Sequence, residues 1–145
     1  MKRAARRPRA RPRRPSGLAE IARLARAARE SAHAPFSRFK VGAALRARSG
    51  EVVTGCNIEN ASYGLTMCAE RVAVFKAVSE GMRGFEAIAV VVDSPHLAAP
   101  CGPCRQILWE FAGDIEVILA NLRRETGRHA LSALLPLPFD ARLLK

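Results

Sequence analysis

The sequence predicts an α/β layered domain built on a mixed sheet, and three observations point there. Helix-period and strand-like stretches alternate along the chain, as helix, two strands, helix, strand, helix, strand. The run Ala87-Ile88-Ala89-Val90-Val91-Val92 is continuously apolar, as expected of a strand buried on both faces. Two strand-like stretches are joined by Ser49-Gly50 alone, which implies an antiparallel hairpin inside a sheet whose other members need crossover helices.

The elements follow in order. Leu18, Ile21, Ala22, Ala25 and Ala28 recur at helical spacing with Arg23, Arg26 and Arg29 on other faces, so a first helix is expected from a Ser16 cap to a point before Pro35. Phe39 to Arg48 and Glu51 to Asn57 read as the hairpin strands, followed by a polar loop, Glu59 to Thr66. Thr66 is placed as cap of a second helix from Met67 to Glu80, stopped by Gly81 in a left-handed conformation. A strand from Ala87 to Asp93 and a loop through Pro100 lead to a third helix, Cys101 to Phe111. Ile115 to Ala120 is a buried strand, Arg128 to Ala130 a short last one, and Leu131 to Leu135 a short helix before Pro136.

With 145 residues the chain is expected to fold around one core, as a domain over residues 16–145. Its net charge of +11 suggests a nucleic-acid partner until its distribution is considered. Residues 1–15 hold eight Lys or Arg and no acid, leaving 16 basic against 13 acidic residues in the remainder. That segment, broken by Pro8, Pro12 and Pro15, is expected to be a disordered basic tail, so nucleic acid is not the expected partner beyond non-specific tail contacts. No apolar stretch has the length of a membrane span and the Arg-rich start lacks a secretory apolar core, which points to a cytoplasmic protein.

Four cysteines in a reducing compartment are better read as metal ligands, redox groups or core residues than as disulfides. Cys68-Ala69-Glu70 opens one expected helix and Pro100-Cys101-Gly102-Pro103-Cys104 opens another. Unpaired N–H groups and the helix dipole at such starts favour thiolates. Cys101 and Cys104 share a helix face, so two helix starts can converge three sulfurs, Cys68, Cys101 and Cys104, on one zinc ion. Three protein ligands leave a position for water, the arrangement of a catalytic zinc rather than a structural one. Glu70, two residues past Cys68, is placed to act as base and then acid. Three thiolates on a dication leave a negative site, and Arg71 and Arg105, each directly after a motif, are expected to donate hydrogen bonds to the sulfurs. A thioredoxin-like redox site remains an alternative for Cys-Gly-Pro-Cys, though it leaves Cys68 and Glu70 idle. A structural site using Cys56 is another.

Cys68-Ala69-Glu70-Arg71 and Pro100-Cys101-Gly102-Pro103-Cys104-Arg105-Gln106 resemble the short-chain, tetrameric cytidine deaminases. The stretches Ala34 to Ala44, Gly55 to Gly64, and Leu134-Leu135-Pro136 with Phe139 extend the likeness over about residues 18 to 141. The resemblance implies a three-layer cytidine-deaminase-like fold, a mixed five-stranded sheet with helices on both faces. It implies one Zn2+ per subunit and hydrolysis of cytidine and 2′-deoxycytidine to uridine and 2′-deoxyuridine in pyrimidine salvage. By the same likeness Asn57 and Glu59 hold the ribose hydroxyls, Phe39 packs on the pyrimidine, and backbone groups of Ala69 and Cys101 meet the base and the departing amine. The family builds its sites within a homotetramer, which implies that Ala61 and Tyr63 come from one neighbouring subunit and Phe139 from another. Deamination of a blasticidin-type antibiotic is disfavoured by Asn57-Ile58-Glu59-Asn60, and a polynucleotide substrate by the clustering of basic residues in the tail rather than around the motifs.

Overall fold

The computed structural model describes residues 17–144. In chain order the elements are α1 (Leu18–Arg29), β1 (Val41–Ala47), β2 (Val52–Cys56), α2 (Ala69–Ser79), β3 (Phe85–Val92), α3 (Gly102–Ala112), β4 (Glu116–Ala120), β5 (Glu125–Ala130) and α4 (Leu131–Leu134). The strands form one five-stranded sheet in the order β2-β1-β3-β4-β5. β3 and β4 are parallel and the other neighbours antiparallel, so the sheet is mixed as anticipated.

Strand alternation sorts the apolar side chains into two cores. Leu45, Phe85, Ile88, Val90, Val117 and Leu119 pack with Ala69, Ala73 and Val74 of α2 and Leu108 of α3. The opposite face offers mostly small residues, Ala44, Ala87, Ala89 and Ala120, to Ile21 and Ala25 of α1. Small residues let that single helix lie close to the sheet: a Cβ on Gly42 of β1 would fall 1.9 Å from the Ala25 carbonyl oxygen. Helices therefore cover both faces, in three layers.

Several boundaries differ from the sequence reading. α1 ends before Pro35 as expected, at Arg29, where the chain tightens through Ser31 N–H to Ala28 O and Ala32 N–H to Arg29 O and then bridges from His33 to Ile58. The residue at its N-cap is Gly17; the proposed Ser16 cap and the basic tail over residues 1–15 lie outside the described residues. α2 begins at Ala69 with Cys68 as cap, not Thr66, since Met67 is held extended by paired backbone bonds to Ile58. Its other end is as anticipated: Gly81 has φ 81°, with Gly81 N–H on Val78 O and Met82 N–H on Ala77 O. Cys101 likewise caps α3 rather than starting it. β5 is longer than expected, reaching back to Glu125.

Candidate active site

The starts of α2 and α3 meet beside the carboxyl ends of β2 and β3, where sheets of this kind hold ligands. α2 reaches that place because Gly55 of β2 has no side chain: a Cβ there would lie 2.5 Å from Ala69 O and 2.6 Å from Ala73 N. Cys68 and Cys101 are both in extended conformation at the caps, with ψ 154° and 164°, which turns each sulfur across the mouth of its helix. Pro103 in the first turn of α3 occupies a position where its missing N–H costs nothing, and Cys104 follows, buried.

The sulfurs of Cys68, Cys101 and Cys104 lie within 4.8 Å of one another, forming the one such three-ligand cluster among the described residues. Cys68 and Cys101 are 3.9 Å apart. Two tetrahedral ligands at about 2.3 Å from a zinc ion stand about 3.8 Å apart, so the sulfur spacing and the soft donor set fit zinc. Cys56 is half-buried at the end of β2 and takes no part.

Hydrogen bonding from the Cys104 thiol, then from the Arg71 guanidinium, pulls the Cys68 thiol down to about 5, while the same Cys68 contact drives Cys104 upward. A divalent ion favours all three as thiolates and releases the proton that the pair shares. Arg71 Nη2 stands 3.4 Å from Cys68 Sγ and 3.3 Å from Thr66 O, where a cation offsets thiolate charge. Arg105 is not so placed, which corrects the expectation drawn from its position after Cys104. Its guanidinium donates instead to Pro100 O at 2.6 Å and Leu134 O at 2.7 Å, tying the α3 start to α4.

Glu70 is 5% exposed and faces a cavity of about 290 Å³, near the lower end of small-molecule sites. Burial, helped by the charge on Cys68, pushes its carboxyl up to about 7, so it can both take and give a proton near neutral pH. Phe39, Asn57, Glu59, Cys68, Ala69 and Cys101 line the same cavity.

Asn57 also clamps the hairpin: its Oδ1 accepts from Val41 N–H and its Nδ2 donates to Phe39 O, each at 2.8 Å. One donor and one acceptor position remain on that amide for a ligand. Ala61, Tyr63 and Phe139 do not line this cavity in their own chain. Tyr63 is 74% exposed and packs edge-on against Phe36, and Phe139 is 58% exposed.

The sequence reading did not place Ser37, Thr66 or the apolar wall of Val90, Val92, Ala98 and Ala99 in the site. Hydropathy marks the valines only as core. Ser37 carries a local signal, a hydroxyl in a turn after Pro35, but its partners are distant in sequence.

The family model described as "Cytidine and deoxycytidylate deaminase zinc-binding region" matches residues 16–120. A cytidine deaminase of Halalkalibacterium halodurans is 54% identical over 114 residues, covering 78% of this chain and 86% of the relative. One from Sporosarcina psychrophila is 50% identical over 113 residues, covering 77% and 83%. Among solved structures, a cytidine deaminase from Burkholderia pseudomallei superposes with a TM-score of 0.83 at 46% identity, covering 86% of this chain and 100% of that one.

Proposed function

The chain belongs to the zinc-binding cytidine and deoxycytidylate deaminase family, and from that premise we propose that it hydrolyses free cytidine and 2′-deoxycytidine to uridine and 2′-deoxyuridine, releasing ammonia. The observation that carries the reading is the juxtaposition of three clustered cysteine sulfurs with a buried glutamate on one small cavity.

Cys68, Cys101 and Cys104 would hold zinc, which supplies Lewis acidity that brings the pKa of water towards about 7. Glu70 takes a proton from the attacking water, delivers it to N3 of the cytosine ring, and carries a second to the departing amine. C4 gains oxygen and loses nitrogen. Arg71 keeps Cys68 ionised, and the apolar valine and alanine wall excludes bulk water. Phe39 packs against the ring while Glu59 and the spare positions on Asn57 read the sugar. Ala69 and Cys101 offer their backbone groups to the base and the leaving amine.

Subunits combine as a homotetramer in this reading, with Ala61, Tyr63 and Phe139 completing neighbouring sites. The exposure of the apolar side chains of Tyr63, Leu65, Leu137, Leu143 and Leu144 supports it. Free cysteines suit the cytoplasm, and release of uridine from cytidine suits a role in pyrimidine salvage. No helix among the described residues is long and apolar enough to cross a membrane.

An ultraviolet assay on cytidine, cytosine and a cytosine-containing oligonucleotide tests the proposal. Turnover of the nucleoside alone is the expected outcome, because a pocket built to bond hydroxyls rejects a ligand without them by large factors. Equal turnover of the free base or the oligonucleotide would contradict it.

A further inference from the structure

Ser37 joins two parts of the cavity that the sequence keeps far apart. Its hydroxyl donates to Glu59 Oε1, while Ser37 N–H and Phe36 N–H donate to Glu59 Oε2 at 3.2 and 2.8 Å. The Ser37 hydroxyl in turn accepts from Phe39 N–H at 3.0 Å. The intervening Arg38 has φ 59°, a left-handed conformation that few non-glycine residues adopt, and Arg38 N–H closes on Ala34 O.

This geometry fixes where the hydroxyl proton goes. A hydroxyl has one proton to give, and with Phe39 N–H occupying a lone pair, the proton is directed at the carboxylate. A carboxylate has about four acceptor positions, two on each oxygen. Oε2 has both filled by backbone N–H groups and Oε1 has one filled by Ser37, so a single acceptor position remains. Consistent with this saturation, Glu59 is held below the usual carboxylate range, first by Ser37 and then by the two backbone donors.

We propose that Ser37 is a positioning residue that aims Glu59 at one sugar hydroxyl, and thereby sets the preference for nucleosides that carry it. The proposal rests on the deaminase reading above. Ser37 also lines the adjoining open cavity with Phe36, Glu59, Tyr63 and Thr66, so it stands where the two cavities meet. Without the Ser37 hydroxyl, Oε1 loses its tether, the carboxylate swings about the bonds to Oε2 and hydroxyl recognition weakens; Phe39 N–H also loses its acceptor, an effect at the ring that every nucleoside shares and that cancels in a ratio of KM values.

The test is steady-state kinetics of the zinc-loaded wild type, Ser37→Ala and Ser37→Thr on cytidine and on 2′,3′-dideoxycytidine. Ser37→Ala is expected to raise KM for cytidine on the order of tenfold, the effect of losing a hydrogen bond to a charged group. Its kcat is expected to stay within about twofold of wild type, and its KM for the dideoxynucleoside to change far less than that for cytidine. Ser37→Thr, which keeps the hydroxyl, restores the wild-type ratio of the two KM values. That ratio is taken within one preparation, so a partly folded variant does not disturb it. An unchanged ratio in Ser37→Ala, or an equal loss on both nucleosides, overturns the proposal and leaves the deaminase reading standing. Wild-type protein that does not turn over cytidine overturns the deaminase reading itself.

Discussion

Single residues in this chain carry charge states that their neighbours dictate. Glu59, bonded by Ser37 and two backbone donors, has a carboxyl below its ordinary value of 4.5. A carboxyl lowered by folding adds stability above the unfolded value and loses it as pH falls through the folded one. Glu59→Gln is therefore expected to melt below wild type near neutral pH, with the gap closing as pH drops below about 4 in circular-dichroism melts; a gap that widens in acid would contradict the bond network. Much of the metal cluster was legible at this scale because each half of it is local: Cys68, Glu70 and Arg71 lie within about one turn at the start of α2, and Cys101 and Cys104 within one at the start of α3. Arg105 was not, since its partner Leu134 is 29 residues away and nothing near Arg105 announces that carbonyl. Ser37 and Glu59, 22 apart, were invisible as a pair for the same reason.

Elements set the position of those residues, and the approach of α2 to β2 is the tightest of the constraints. Gly55→Ala would drive a methyl group into backbone atoms of Ala69 and Ala73, which cannot rotate away. The substitution is expected to cost on the order of 1–3 kcal/mol in denaturant unfolding and to weaken zinc retention, because the first turn of α2 carries Cys68 and Glu70. Wild-type stability and zinc content together would show that the helix has room to spare. Periodicity and apolar runs revealed the first four strands and the three long helices, with the hairpin turn and the Gly81 terminator, whereas the polar β5 was legible only over its second half. The starts of α2 and α3 were each misjudged by one or two residues, since the cap conformations depend on Ile58 pairing with Met67 and on the sulfurs turning across the helix mouth.

At the scale of the whole molecule, a five-stranded sheet with a close-packed helix on one face frees the other to bring two helix starts together, and the site stands where they meet. Leu137 at 98% exposure and Phe139 at 58% lie outside the cavity of their own chain, and the proposed homotetramer would give them a surface to cover. Inside each subunit the account depends on metal and acid acting on one cavity. The most direct measurement follows zinc content and cytidine turnover on the same preparations of wild type and Glu70→Gln, before and after chelation. One zinc per chain is expected in both proteins, with activity in wild type alone, lost on chelation and regained when zinc is returned. Full turnover by metal-free wild type, or by zinc-loaded Glu70→Gln, would contradict it.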